Sequence, residues 1–359
     1  MLHIRYCMLG VILALVLALC TGATAGLPSV HKYSITTSAS GVDNPALWGN
    51  YVVWQATGTA GTDIFAALIT SQGVSGTYTV YSGPGNQSNP TLGQNYIAWE
   101  DKQVDSKGNI YACLADWSNG TFGTAFAVAS DSSRTELYPS MWGDTLIYND
   151  SGSDKKVVSN TLGVASPAPA ALLALTGITV GPASIGSNYI TWHDARNGNY
   201  DVFAYNRNTG VIETVTTAVG NQYNPATYGN NIAWYDYTST NGTYKLAYKN
   251  MLTGTITTIA SDTNNIMSPS IYGDYIVWQD KRNGTDYDIW GYQISSGQQF
   301  LVAGGAGDQD KAQIYGNNIV YRDAGQVSYT YLATPEPSSI LTLFVGAVGL
   351  VGFIRKRTR

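Results

Sequence analysis

The sequence predicts an all-β fold, a seven-bladed propeller of four-stranded blades, on three observations. One phrase recurs seven times, a Pro, a Gly turn and an apolar run closed by Trp or Tyr: residues 45–54 (PALWGNYVVW), 90–99, 139–148, 182–192, 225–234, 269–278 and, with Ala312 for the Pro, 312–321. The closing aromatics are 45, 49, 44, 42, 44 and 43 residues apart, which is the period of a propeller blade. The ends of the array are out of phase: 33–37 (YSITT) reads as the fourth strand of a unit, whereas the last unit stops after its third strand near 330–332. The N-terminal strand is therefore expected to complete the last blade and close the ring, which removes exposed sheet edges.

Each element of the unit has a local reason. Val52 and Trp54 share one face of a strand and Val53 takes the other, so both faces are apolar and both need cover. Stacked blades supply that cover, and a lone unit could not. A polar turn follows the aromatic (DARNGNY at 194–200, DKRNGTDY at 280–287), then a third strand (DVFAY at 201–205, DIWGY at 288–292). Turns on Gly210, Gly254 and Gly297 lead into Thr- and Val-rich fourth strands, glycine supplying the positive φ. With the short Pro segment as the innermost strand, each unit has four. The unit at 139–176 departs most, with no R-N-G turn and an Ala/Pro-rich stretch.

The order Pro, Gly turn, I-x-W-x-D, R-N-G and D-I-x-x-Y resembles the TolB-like, WD-like propeller repeats of bacterial and archaeal secreted and surface proteins, over about residues 33–333. Three segments are expected: a signal peptide at 1–25, the propeller at 26–333 and a sorting segment at 334–359. The first carries an apolar core and an A-x-A cleavage signature at Ala23 and Ala25, so the protein is expected to be exported. The last holds Pro335, Glu336 and Pro337, an apolar run of 15 residues and a basic end, Arg355 to Arg359. That run is shorter than the roughly 20 residues a helix needs to span the hydrocarbon core. The combination resembles the PEP-CTERM sorting signal, which implies an exosortase-type enzyme as partner, contact with the membrane through this segment alone before processing, and delivery to the cell surface or extracellular matrix.

Charge fits an outside address. The chain has 19 Lys plus Arg and 24 Asp plus Glu, and without Arg5 and the four basic residues of the tail 14 face 24, near −10. Nucleic acid is not an expected partner. Beyond the leader only Cys113 remains, so the ring has no intrachain disulfide, and Cys113 reads as a buried, inert thiol.

The chemistry-bearing residues read mostly as framework. Only His31 and His193 lie beyond the leader, too few for a multi-His metal site. His193 occupies the slot held elsewhere by Gln55, Glu100, Asn149, Tyr235, Gln279 and Arg322, which argues against a catalytic triad. Asp101, Asp150, Asp194, Asp236, Asp280 and Asp323 each follow the closing aromatic by two, and six copies suit a turn cap better than a catalytic acid. Arg196 and Arg282 are placed to pair with two of them. No cofactor is expected; the loops at 194–201 and 280–288 hold enough Asp and Asn to leave calcium open, without the alternating spacing of an EF-hand loop.

Repeated aromatics before the first turn (Trp48, Trp142, Tyr228, Tyr272, Tyr315) read as packing, and irregular ones (Trp117, Tyr138, Tyr223) as candidate stacking platforms for sugars. The residues before the Pro positions, Asn44, Asn89, Tyr138, Gly181, Asn224 and Ser268, with Lys311 in the last unit, vary in identity and are expected to ring one mouth of the channel as a ligand rim. The functional expectation is a non-catalytic binding or matrix module for extracellular polysaccharide or surface proteins. The alternatives are a metal-independent glycan-active enzyme, since some TolB-like propellers are polysaccharide lyases, and a structural surface-layer component.

Overall fold

The computed structural model describes residues 27–36, 40–103, 107–163 and 169–333. The expected leader, with Ala23 and Ala25, and the sorting segment, with Pro335, Glu336 and Pro337, lie outside the described residues. Among those described, no helix is long and apolar enough to cross a membrane. The chain forms seven antiparallel sheets, blades 1 to 7, each with four strands in meander order. Blade 1 is typical: Asp43–Trp48 innermost, then Tyr51–Thr57, Thr62–Thr70 and Gly73–Tyr81. Blade 2 adds a short strand, Thr121–Phe122, on its third strand. The innermost strand of each blade touches those of both neighbours, and Asp43–Trp48 touches Gln309–Tyr315 of blade 7, so the sheets stand around one axis.

Burial follows from the two-sided apolar strands. The core is divided into seven layers, one between each pair of adjacent blades. Val52 and Trp54 face blade 7 while Val53 faces blade 2, and Ile276 and Trp278 face blade 5 while Val277 faces blade 7. Trp99, Trp192, Trp234 and Trp278 are fully buried. Each contributes some of the largest apolar area available to any side chain.

Blade 7 takes three strands from the C-terminal end, Gln309–Tyr315, Asn318–Asp323 and Gln326–Ala333, and its outermost from the N-terminal end, Ser29–Ser34. The register runs from Ser29 opposite Ala333 to Ser34 opposite Ser328. The strand thus lies four residues before the expected 33–37. Tyr33 sets the register by stacking on Tyr329 at 5.0 Å, and Ile35 turns out of the sheet into the layer between blades 7 and 1. Because the inner strands run away from their pre-Pro residues, the third strand of blade 7 ends on the face opposite those residues. Ser29 and Ala333 therefore both lie at that far face.

Candidate ligand-binding site at the channel mouth

Six of the seven inner strands carry a bulge at the pre-Pro residue, where the pairing register slips, for example between Asp43 and Ala46 or Tyr223 and Ala226. The bulged residue is left-handed in each: Asn44, Asn89, Tyr138, Asn224, Ser268 and Lys311 have φ of 47°, 48°, 57°, 46°, 53° and 55°. Asn tolerates this region, which explains its threefold use; Tyr and Lys do so at a cost. In four of the six the backbone N–H turns toward the preceding blade, where the residue after the closing aromatic accepts it, whereas the N–H of Asn44 goes to Asp43 Oδ1 at 2.9 Å. Gln55 Oε1 accepts from Asn89 at 2.9 Å, Glu100 Oε1 from Tyr138 at 2.7 Å, His193 Nδ1 from Asn224 at 3.3 Å and Gln279 Oε1 from Lys311 at 2.9 Å. The slot that held His193 is thus an inter-blade acceptor position.

Blade 4 corrects the expected rim. Its phrase has one extra residue, and Ser184 pairs with Thr191 as Thr91 pairs with Ala98, so Pro182 takes the rim position and Ala183 that of the Pro. Pro182 has no N–H, and Asn149 Oδ1 accepts from Ala183 instead, at 3.2 Å. Gly181 lies beneath: a Cβ there would fall 2.0 Å from the His193 ring. Its lack of a side chain makes room for the histidine.

The six other rim residues and Pro182 line one end of a central channel of about 460 Å³. The far end is closed by aromatics. Trp48 and Trp142 meet edge to face at 5.1 Å, Tyr228 and Tyr272 at 4.3 Å, Tyr272 and Tyr315 at 4.4 Å, and Trp48 and Tyr315 at 4.7 Å. Blades 2 and 4 place Gly93 and Gly186 there, where a Cβ would strike backbone oxygens of Gly143 and Thr227. The channel is consequently a cup with a polar mouth and an aromatic floor.

Polar contacts tie part of the mouth together. Lys311 Nζ donates to Asn44 Oδ1 at 2.8 Å and to Asp43 Oδ1 at 2.6 Å, and Asn44 Nδ2 donates to Asn89 Oδ1 at 2.5 Å. Arg322 joins Asp310 and Asp43 below them. Tyr138 is 42% exposed, the most open of the large rim side chains. Burial pushes the Glu100 carboxyl above its ordinary range, partly offset by the N–H of Tyr138.

The repeated carboxylates are framework. Trp192, Trp234 and Trp278 donate Nε1–H to Asp194, Asp236 and Asp280 at 2.8, 2.8 and 3.1 Å. Arg196 and Arg282 pair with Asp194 and Asp280, both at 2.5 Å, and the same carboxylates cap the turns. In the two loops read as calcium candidates, Asn197 and Asn199 hold Asp201, and Asn283 bridges Asp286 and Asp288. Cys113 is buried, its thiol pushed up to about 12 by desolvation. Trp117 is no free platform, since it stacks on Tyr51 of blade 1 at 4.1 Å, away from the mouth.

Tyr223, singled out from the sequence as a candidate platform, belongs to a tyrosine row beside the mouth whose other members the sequence analysis missed. Tyr223, next to Asn224, lies 5.3 Å from both Tyr200 and His193 and 5.4 Å from Tyr235. Tyr235 lies 6.4 Å from Tyr244, which lies 4.7 Å from Tyr237. The signal was available in YDYTSTNGTY at 235–244, a tyrosine density no other repeat matches at this turn.

No family model and no curated protein matches the chain. Solved structures do. TolB from Acinetobacter baumannii superposes with a TM-score of 0.51 and 17% identity, covering 70% of this chain and 62% of that one. An oligogalacturonate lyase in complex with manganese gives 0.57 and 11%, covering 88% and 95%. The β-propeller domain of the Trilobed protease from Pyrococcus furiosus, a propeller of open velcro topology, gives 0.58 and 11%, covering 80% and 90%. The chain is a seven-bladed β-propeller of TolB-like fold. It spans 62% of the length of the TolB structure it matches, and neighbours at these identities include enzymes and non-enzymes alike.

Proposed function

We propose that the protein is an exported, surface-sorted, non-catalytic propeller that binds extracellular polysaccharide at the mouth of its channel. The cup carries the reading: variable polar tips and an exposed, strained Tyr138 stand on a rigid framework above an aromatic floor. Rigid scaffolds presenting varied loops are where binding function concentrates, and amides beside an aromatic ring suit hydroxyl-rich ligands. Strain at Tyr138 is consistent with a functional constraint, since nothing in the framework requires tyrosine there.

Sorting through 334–359 fits the geometry. Ala333 and Ser29 leave the ring at the floor face, so a tether on either side directs the mouth away from the cell. We include in the proposal that the strand Ser29–Ser34 holds the ring closed. For an enzyme reading, the two histidines beyond the leader lie apart, His31 in the outermost strand of blade 7 and His193 between blades 4 and 5.

The test is retention of native protein in gels holding polysaccharides, with turnover assays on uronic-acid polymers alongside. Tyr138→Ala with Asn224→Ala is expected to weaken retention and leave the fold intact. Unchanged retention by the folded double variant moves the site elsewhere, and turnover of a uronic-acid polymer replaces the binding reading with the lyase-like one.

A further inference from the structure

We propose that the tyrosine row on the mouth face of blades 4 and 5 is a track along which an uncharged, hydroxyl-rich polysaccharide runs outward from the channel. This rests on the glycan reading of the mouth and names its ligand class.

Sequence and register place the row on the mouth side. Tyr223 precedes rim residue Asn224, pairs across with Tyr235, and Tyr237 pairs with Tyr244 at the turn between the second and third strands. Tyr200 comes from the matching turn of blade 4, at the end of DARNGNY. All five rings are half-buried. They lean on one another in steps of 5.3, 5.4, 6.4 and 4.7 Å, so each is held in place with part of its surface left to solvent.

Packing accounts for Tyr235 and Tyr244, which lie against the core layer between blades 5 and 6, and leaves Tyr223 and Tyr237 to be explained. The position of Tyr223 is filled by Asp43, Ser88, Leu137, Met267 and Asp310 in other blades, and that of Tyr237 by Thr57, Lys102, Ser151, Ala195, Lys281 and Ala324. Those blades pack without tyrosine there. A contiguous, partly apolar surface that the framework demands only in part marks an interaction site.

Charge selects the occupant. The carboxylates beside the row are engaged: Asp194 with Arg196, Asp236 with Lys245 at 3.9 Å, and Asp201 with Asn197 at 2.7 Å. Arg196 and Lys245, the cations of these pairs, are spent on carboxylates, so the surface offers a uronic-acid polymer or an anionic lipid little counter-charge and complements a neutral chain. Sugar rings present C–H faces edged by hydroxyls, which match phenol rings and the amide of Asn224. Residues 27 and 333, at the outer limits of the described chain, sit at the opposite face.

The experiment is affinity electrophoresis of the full protein in gels with neutral β-glucan, galactomannan or dextran, with polygalacturonate as the anionic arm and a proline-rich peptide followed by fluorescence anisotropy. Tyr237→Ala with Tyr244→Ala is expected to weaken retention by a neutral polymer about tenfold, as loss of two aromatic contacts implies, with added salt having little effect. Protection of Tyr237 and Tyr244 from nitration by the same polymer, read by mass spectrometry on unmutated protein, is expected too and does not depend on the variant folding. Retention unchanged in the folded variant, or nitration unprotected, while Tyr138→Ala with Asn224→Ala abolishes binding, overturns the track and leaves the mouth. Retention by polygalacturonate alone, or binding of the peptide alone, overturns the ligand class. No retention of the unmutated protein by any polymer overturns both readings.

Discussion

His193 shows how one slot can serve different blades with different chemistry. Its Nδ1 accepts the N–H of Asn224 only while unprotonated, and burial depresses its pKa to about 4. The nearby Asp194 pulls the other way and is outweighed. A depressed folded-state value means that the group contributes stability above its unfolded value of 6.5 and loses it as pH falls through about 4. The contribution is of order 3 kcal/mol. Thermal melts between pH 7 and 4 are expected to fall more steeply for the natural protein than for His193→Gln, which keeps an acceptor without titrating; parallel curves would remove His193 from the acid response. Asp280 is the second case. Asp280→Ala leaves the Trp278 indole N–H without its acceptor and the Arg282 guanidinium without its carboxylate, with only Gln299 still accepting from it. A loss of about 2–3 kcal/mol is expected in denaturant unfolding, and a loss below about 0.5 kcal/mol, the surface-substitution range, would make this carboxylate mere surface.

At the scale of the element, the bulge ties backbone strain to the candidate site. With φ near +50° it presents a side chain to the mouth and, in four blades, sends an N–H to the preceding blade. Tyr138 is the bulkiest residue so held. Tyr138→Asn is expected to raise stability by about 1 kcal/mol, since Asn meets the left-handed region at lower cost, while weakening polysaccharide retention under the proposed function. A melting temperature that falls in this variant would show that the ring contributes more by packing than the backbone loses. Pre-Pro variability was legible in the sequence because the Pro marks the register. The left-handed turn was not, because it follows from one extra residue opposed to a straight partner strand. Blade 4 misled for a related reason: Pro182 aligned by type, although the inserted residue shifted it onto the rim.

At the scale of the molecule, seven interblade layers make the seam between blades 7 and 1 the place where the chain meets itself. Val320, Val327 and Tyr329 pack there on Val52, Trp54 and Ile69, Arg322 and Lys311 meet Asp43, and Ser29–Ser34 lines the outer edge of blade 7. Deleting 29–34 uncovers the edge Gln326–Ala333 and removes Tyr33 from Tyr329. Lowered melting temperature and aggregation are expected, because closure couples blades that otherwise touch only neighbours. An unchanged melting temperature would show that the seam packs shut without this strand.

The sequence by itself determined the blade count, the four-strand unit, the two-sided burial and the framework use of the repeated Asp residues, because each is a local pattern copied in register. Periodicity reports what every blade shares. Only the tertiary structure decided that Pro182 and not Gly181 stands at the mouth, that five aromatics close the floor where Gly93 and Gly186 leave no room for more, that Trp117 is taken up by Tyr51, and that tyrosines from two blades form one row. Those features arise where different blades meet around an axis, and the distances between them depend on how the sheets stack, which no single repeat encodes.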